Sequence, residues 1–195
     1  MEAKQRIIEA ILDLELEMFL SVPSDGESDC QHHPEAFKFH RRLQFSVWSL
    51  ETLNRYRRDL MHARQKGENL MTVKYARVQG LLPSGNTTPL IDEILRMKME
   101  WQAEMIRRYP AILGGARPLT EAGNDDAWTS FERYARGELE AYSDATLASL
   151  HADLRDMQEK GVNASEKIYR LQAAQSGFDS LEAAEAHMQR RKKVK

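Results

Sequence analysis

Residues 42–75 read RLQFSVWSLETLNRYRRDLMHARQKGENLMTVKY, and residues 136–169 read RGELEAYSDATLASLHADLRDMQEKGVNASEKIY. The two stretches align without a gap at an offset of about 94 positions, with about ten identities in about thirty-four places. The identical pairs include Ser49/Ser143 and Asp59/Asp153. Recurrence at a fixed offset is typical of a chain that contains two copies of one structural unit. The sequence therefore predicts an internal duplication.

Apolar residues recur at three- and four-residue steps in most of the chain, which indicates amphipathic helices. Start and stop signals repeat with them, because a serine, a Lys-Gly pair and an asparagine follow one another in both stretches. No segment alternates with a period of two over more than a few residues, so no strand is predicted. The predicted helices cover 3–20, 35–47, 49–66, 70–79 and 179–190, and the second stretch repeats the middle ones with Ser143, Gly161 and Asn163 as its signals.

The first helix has its own counterpart, since residues 8–17 resemble residues 91–100. The repeat unit is then a long helix, a loop and three further helices, in repeats that span 5–80 and 89–176. We predict an all-α helical bundle in which two diverged copies of a four-helix unit are related by a pseudo-twofold axis. The chain, 1–195, forms a single domain with a basic tail at 189–195.

Composition indicates an ordinary soluble protein, with 30% charged residues and a formal net charge of −2. A single cysteine excludes an internal disulfide framework. The first helix is apolar on one face but carries several charges, so it resembles neither a signal peptide nor a membrane span. We expect a cytoplasmic protein with no membrane contact.

Positive charge is concentrated in the first copy. Residues 38–77 hold about ten Lys and Arg against about three acidic residues, whereas residues 132–171 hold about six against eight. The asymmetry indicates either an anionic partner, such as transfer RNA, or simply a solvated basic face. The candidate nucleic-acid contacts are Arg41, Arg55, Arg57, Arg58, Arg190 and Arg191.

Polar residues in matching positions predict a site between the copies. Glu17 matches Glu100, and Gln44 matches Glu138. We expect these groups to converge about the pseudo-twofold axis with four further residues. A cluster of carboxylates, arginines and tyrosine would suit acid–base work or recognition of a charged substrate, although a structural polar network explains the same pattern. The four further residues are Arg42, Arg136, Trp48 and Tyr142.

Metal binding is not favoured. Helical di-metal proteins use Glu-x-x-His pairs, which the bundle helices lack. Cys30 lies near His32, His33 and His40, but no second spaced pair completes a zinc tetrahedron. Cys30 is instead a candidate nucleophile, with an ordinary loop cysteine as the alternative. We predict no metal and no cofactor.

Two other stretches concentrate chemistry. Residues 74–77, Lys-Tyr-Ala-Arg, put two cations and a phenol within one helical turn. Asp126 and Glu132 would flank the mouth of a site, although Asp126 or Thr129 could simply cap a helix.

Five segments together resemble the family labelled domain of unknown function 4125. They are LELEMF at 14–19, SDCQ at 28–31, QFSVW at 44–48, KYAR at 74–77 and TSFERYARGEL at 129–139. The resemblance extends over nearly the whole chain, and its last motif is the most specific. The label implies no activity.

A weaker resemblance links the chain to fungal arginine-containing cyclodipeptide synthases. Those enzymes join amino acids delivered on transfer RNA and carry an Asp-Asp-x-x-Glu motif; here Asp125-Asp126 is followed by Glu132 at a longer spacing. The resemblance implies an aminoacyl-transfer enzyme that forms a peptide bond. Its candidate catalytic residues are Glu17, Cys30, Glu132, Tyr134 and Glu138. Its candidate substrate contacts are Arg42, Gln44, Trp48, Lys74, Tyr75, Arg77, Glu100, Asp126, Arg136 and Tyr142.

Two alternatives stay open at this point. One is another small-molecule enzyme, a lyase or hydrolase, that uses the same carboxylate–arginine pocket. The other is a helical interaction module whose polar cluster is purely structural.

Overall fold

Helices account for most of the chain in a computed structural model that describes residues 2–23, 33–121 and 129–193. Ten helices and no strand form within these ranges, which confirms the predicted all-α class. The helices are α1 Glu2–Leu20, α2 Pro34–Ser46, α3 Leu50–Gln65, α4 Leu70–Val78, α5 Leu90–Arg108, α6 Pro110–Leu113, α7 Phe131–Leu139, α8 Asp144–Glu159, α9 Ala164–Gln175 and α10 Leu181–Lys193.

The predicted start signals act as helix caps. In each case a side-chain oxygen of the capping residue accepts a hydrogen bond from the backbone N–H three residues later, which satisfies a donor with no partner inside the helix. The cap and donor pairs are Ser49–Thr52, Asn69–Thr72, Ser143–Thr146 and Asn163–Glu166, at 3.2, 3.0, 3.3 and 3.0 Å.

Helices α3 and α8 pack against each other through a reciprocal contact. Oδ2 of Asp153 on α8 accepts hydrogen bonds from the Ser49 backbone N–H at 2.8 Å and from the Thr52 hydroxyl at 2.6 Å. The start of α8 meets α3 in the same way, through corresponding residues. There, Asp59 Oδ2 accepts from the Ser143 N–H at 3.2 Å and the Thr146 hydroxyl at 2.7 Å. This is the geometry expected of two packed copies, and the duplication itself stays a prediction.

The main core lies between the two stretches. Leucines and isoleucines of α1, α3, α5 and α8 fill it, and an aromatic cluster occupies its centre. Tyr56 and Tyr142 lie 4.8 Å apart there between ring centroids, and Phe45 and Trp48 lie 5.0 Å apart. The predicted residues Trp48 and Tyr142 also meet in the interior of the bundle, with 6.0 Å between their ring centroids.

A smaller core lies beneath α10, around Met105, Tyr109 and Leu181. The buried Glu185 carboxylate accepts hydrogen bonds from the Ala111 and Ile112 N–H groups and so caps α6. The predicted end of the last helix at residue 190 is wrong, because α10 continues to Lys193 and includes most of the basic tail. Sequence reasoning also missed α6, a single turn that Pro110 begins.

In the ranges that the structure describes, no helix combines the length and apolar character needed to cross a membrane.

Candidate functional site

Two charged residues stand where helical periodicity requires apolar ones. On α1, the buried face runs through Ile8, Ile11 and Leu12 and then reaches Glu15, whose side chain is 0% exposed. On α5, the equivalent face runs from Ile91 to Lys98 over the same seven-residue interval. Because positions i, i+3, i+4 and i+7 share one helix face, both charges point toward the core.

The Glu15 carboxylate is held by a buried arginine from α2. Arg41 donates to both of its oxygens, from Nε at 2.8 Å and from Nη2 at 2.5 Å. The Tyr56 hydroxyl donates to the same carboxylate at 2.6 Å. A planar guanidinium that grips a carboxylate with two hydrogen bonds is the strongest form of such an ion pair.

A second carboxylate, Glu138 on α7, completes this buried cluster. Arg41 donates its Nη1 to Glu138 Oε1, Lys74 Nζ donates to the same oxygen at 3.2 Å, and Gln44 donates to Oε2 at 3.1 Å. Burial alone would raise the pKa of the Glu138 carboxyl. The neighbouring cations Arg41 and Lys74 outweigh this effect and hold that pKa well below its usual range.

Gly137 allows Lys74 to reach Glu138. A Cβ added at Gly137 would lie 2.7 Å from Val78 Cγ2 and 3.4 Å from the Lys74 carbonyl oxygen. Only a residue without a side chain lets α4 and α7 approach this closely. The glycine in the motif TSFERYARGEL therefore has a packing role beside the carboxylate.

A cavity of about 210 Å³ opens beside the cluster, between α2, α5, α7, α8 and α9. One wall is polar and includes Gln44, Lys98, Tyr134 and Glu138, and most of the remaining lining is apolar. A mostly apolar enclosure with a few converging polar groups is typical of small-molecule sites. The apolar lining includes Val47, Trp48, Trp101, Phe131, Ala135, Leu150, Leu154, Ala164 and Ile168.

Lys98 differs from the other cations of the cluster. It is half-buried and lines the cavity, yet its ammonium has no hydrogen bond and no ion pair among the described residues. Burial lowers the pKa of Lys98, and repulsion from Arg41 and Lys74 adds to this effect, against the attraction of Glu138.

Tyr134 brings a phenol to the same cavity. Two cations contact its ring. Lys74 Nζ lies 4.3 Å from the ring centroid, and the guanidinium carbon of Arg117 lies 4.6 Å from the same centroid. Burial alone would raise the pKa of the Tyr134 phenol, but the Lys74 and Arg41 cations together outweigh burial, and the pKa is lowered. Tyr75, whose ring centroid is 6.4 Å from that of Tyr134, has a pKa raised by burial.

Charge in the cluster does not balance. Three cations face two carboxylates within the described part of the chain: Arg41, Lys74 and Lys98 against Glu15 and Glu138. An uncompensated charge in a poorly solvated site is costly, so it is neutralised by losing its proton or by a ligand of opposite charge. Lys98, without a direct partner, is where either change would occur.

Four predicted site residues line this cavity: Gln44, Trp48, Tyr134 and Glu138. Lys74 and Tyr142 are in the adjoining buried cluster, and Tyr75 contacts Tyr134.

Arg77 lies elsewhere and donates to the Glu140 carbonyl at 2.7 Å, where Gly85 leaves room for its guanidinium. Glu132 is half-buried and does not line the cavity. Cys30 and Asp126 lie outside the described residues.

The predicted convergence of the other matched residues is wrong. Each instead forms an ion pair of its own on a more exposed face of its helix, and only one of the four pairs lies within a single helix. The pairs are Glu17–Arg64, Arg96–Glu100, Glu9–Arg42 and Asp92–Arg136.

The assignment of Arg41 to nucleic acid is also wrong, because its guanidinium is buried between two carboxylates. The other predicted contacts stay at the surface. Arg55 pairs with Glu51 at 2.7 Å, Arg58 is exposed on α3, and Arg190 and Arg191 are exposed on α10.

Sequence reasoning missed Glu15, Lys98 and Tyr56. The signal for the first two was present, because each is a charged residue at an apolar position of a regular helical stripe. Glu17 and Glu100, which match each other in the two stretches, lie two positions further along the same helices. Tyr56 carried no such signal, since a tyrosine on a buried face is ordinary core.

A second pocket, of about 460 Å³, shares Val47 with the cavity. Its lining holds Lys4, Lys167 and Arg170 and no carboxylate. The Lys4 ammonium donates to the Ser46 carbonyl at 2.7 Å, and burial lowers its pKa. Arg170 is paired with Glu166, so Lys4 and Lys167 give this surface next to the cavity its positive character.

No group of three or more His, Cys, Asp or Glu residues that could hold a metal ion occurs in the described ranges. Because Cys30 and His32 lie outside those ranges, the absence of a metal site stays a prediction.

No curated protein and no solved structure matches this chain. One family model does, and it covers residues 5–186. The resemblance to the cyclodipeptide synthases stays a prediction. The chain belongs to the family described as Protein of unknown function (DUF4125).

Proposed function

We propose that this chain is a small-molecule enzyme, of the lyase or hydrolase type, whose site is the cavity beside the Glu15–Arg41–Glu138 cluster. The observation that carries the proposal is Lys98, a half-buried cation without a direct partner that lines an otherwise largely apolar enclosure. A buried charge that the fold does not neutralise lowers stability. Such a group is typical of functional sites, where stability is given up for reactivity.

The other polar groups have separate roles in this proposal. Glu138, held by Arg41 and Lys74, fixes the electrostatic field at the polar wall. Tyr134, with its lowered pKa, supplies or accepts a proton. The aromatic and aliphatic wall, with Trp101, Phe131 and Leu150, receives the apolar body of the substrate.

Untargeted mass spectrometry tests this function. The purified chain is incubated with a cell extract, and the metabolites that it consumes and produces are recorded. We expect turnover by the unmodified chain and by Lys160→Met, an exposed control. We expect none with Lys98→Met, or with Ala164→Leu, which fills the cavity from a buried position. If the metabolite profile is the same with each of the four proteins as in the extract without added protein, the proposal is wrong.

Aminoacyl transfer, the activity implied by the weaker resemblance, stays a second candidate. In its favour, Arg57, Arg190 and Arg191 have no hydrogen bond or ion pair within the described ranges and could meet RNA phosphates. Against it, Glu138 is the one carboxylate among the described residues that line the cavity, and both of its oxygens are engaged. A substrate guanidinium would therefore find no unpaired carboxylate there.

Purification with and without nuclease tests this candidate. Aminoacyl transfer predicts that RNA copurifies and that moderate salt removes it, because phosphate contacts weaken as salt rises. An RNA-free protein that also fails to bind transfer RNA at low salt would remove this candidate and leave the small-molecule enzyme in place.

A further inference from the structure

One lysine in the cavity and one lysine behind it differ in a way that bears on reaction chemistry. Lys74 is 2% exposed, donates to Glu138 and does not line the cavity. Lys98 lines the cavity, and no acceptor among the described residues occupies its ammonium. An amine reacts as a nucleophile only when it is accessible and can lose its proton. Lys98 is accessible from the cavity, which is the first of these two conditions, and Lys74 is not.

The charge count also favours a neutral amine at this position. Without a proton on Lys98, the cluster holds two cations, Arg41 and Lys74, and two carboxylates, Glu15 and Glu138. Desolvation and the two neighbouring cations both favour that form. A positive charge restored at Lys98 would then require a negative charge on the ligand.

We propose that Lys98 forms an imine with a carbonyl compound that carries one negative charge and an apolar body, such as an aromatic 2-oxo acid. This inference rests on the proposed function and names its substrate class. The carboxylate of the ligand balances the iminium charge, and the apolar wall around Phe131 and Leu150 receives its ring. The cations of the adjoining pocket, Lys4 and Lys167, favour the approach of an anion.

The reaction proceeds in two steps that need no oxidant or reductant. The Lys98 nitrogen bonds to the carbonyl carbon, the carbon–oxygen π bond opens, and one amine proton moves to the oxygen. The remaining carbon–oxygen bond of this carbinolamine then breaks. With one further proton the oxygen leaves as water, and the nitrogen keeps the positive charge of the iminium. Tyr134, which lines the same cavity, is the donor of that further proton.

Reductive trapping tests the imine directly. The protein is incubated with phenylpyruvate and sodium cyanoborohydride at neutral pH, and the modified lysines are located by peptide mass mapping. We expect the adduct on Lys98 to exceed that on exposed Lys160 at least tenfold, and Lys74 to stay unmodified. Equal modification of Lys98 and Lys160 would overturn the proposal.

Two substitutions make the assignment specific. We expect Lys98→Met to lose the adduct, and Lys98→Arg, which keeps a cation but cannot form an imine, to lose it as well. Lys160→Met should keep it. Circular dichroism verifies that each variant is folded. If Lys98→Met is not folded, the conclusion is drawn from Lys98→Arg alone. An adduct of unchanged yield in Lys98→Arg would overturn the proposal.

Phenyllactate, which has a hydroxyl in place of the carbonyl, separates this inference from the proposed function. Binding of phenyllactate that Ala164→Leu abolishes, together with no trapping of phenylpyruvate, would overturn the imine and leave the small-molecule site intact. If neither compound binds and the cell extract is unchanged, both the imine and the proposed function are wrong.

Discussion

Lys74 and Lys98 face the same buried carboxylate cluster from different helices, but only Lys74 forms an ion pair with Glu138. Lys74 belongs to the structure of the bundle, because its charge compensates another. Lys98 adds a charge that no described residue compensates directly. The two lysines therefore separate the stability of this fold from its function, and they can be tested as a matched pair.

Substitution of each lysine by methionine, which keeps the length of the side chain, should affect the stability of the fold to very different extents. We expect Lys74→Met to lower the free energy of unfolding by about 3 kcal/mol. This is the lower end of the range for removal of one partner of a buried ion pair, because Arg41 still binds Glu138. Lys98→Met should change it by less than about 1 kcal/mol or raise it, since an apolar group replaces an uncompensated charge. Urea unfolding at pH 7 measures both, and a larger loss for Lys98→Met than for Lys74→Met would contradict the assignment.

Acid should weaken the contribution of Glu138 to the stability of the fold. Its pKa is lowered in the folded state, so this contribution is complete above the ordinary value of 4.5 and is lost as the pH falls toward the folded-state pKa. We expect Glu138→Gln to lower the free energy of unfolding by about 3–5 kcal/mol at pH 7. This difference from the unmodified chain should become smaller below pH 4.5.

Unfolding curves at several pH values measure this difference. Glu159→Gln serves as the control, because its carboxylate is 68% exposed and pairs with Arg155 within one helix. Its cost should stay below about 0.5 kcal/mol. A Glu138→Gln difference that is constant from pH 7 to pH 3 would contradict the prediction.

The close approach of α4 and α7 depends on Gly137. We expect Gly137→Ala to cost about 1–3 kcal/mol, because the added Cβ would overlap Val78 Cγ2 at 2.7 Å. The displacement should also weaken the bond from Lys74 to Glu138. At Gly115 an added Cβ meets nothing within 4 Å, so Gly115→Ala should be nearly neutral. Thermal unfolding compares the two, and equal melting temperatures would show that the helices can separate without cost.

The reciprocal contact of α3 and α8 predicts similar effects at two distant positions. Asp59→Ala and Asp153→Ala each remove two hydrogen bonds to a charged acceptor, so we expect each to cost about 1.5–3 kcal/mol. Asp156→Ala, on the exposed face of α8, is the control and should cost less than about 0.5 kcal/mol. A negligible cost at either Asp59 or Asp153 would contradict the predicted equivalence of the two contacts.

Local signals in the sequence were sufficient to predict most of the helices, although not the single turn α6. Ser49, Asn69 and Gly67 gave the boundaries of α3 and α4 because caps and left-handed glycines act on neighbouring backbone. The extension of α10 beyond residue 190 was not foreseen, since basic residues are compatible with a helix and with a frayed tail alike.

The site was predicted less completely, because it depends on which faces meet. Glu138 and Gln44 were identified as a matched pair, and they are in fact bonded. Glu17 and Glu100 were chosen by identity, but rotation about the helix axis decides burial, and it turns these two residues outward. The cavity itself has no local sequence signal, since its apolar walls have the same composition as a filled core.

The proposed chemistry requires that Lys98 is an amine without a direct counter-charge, whose proton is weakly held. It is tested most directly by pH titration of the lysine side chains, followed by NMR in protein labelled with carbon-13 at Cε. We expect one signal, absent from Lys98→Met, that titrates below the ordinary pKa of 10.5. Another signal, absent from Lys74→Met, should titrate above that value. A Lys98 signal that titrates at or above 10.5 would show that this amine keeps its proton as firmly as an exposed lysine, and the proposed role of Lys98 would be wrong.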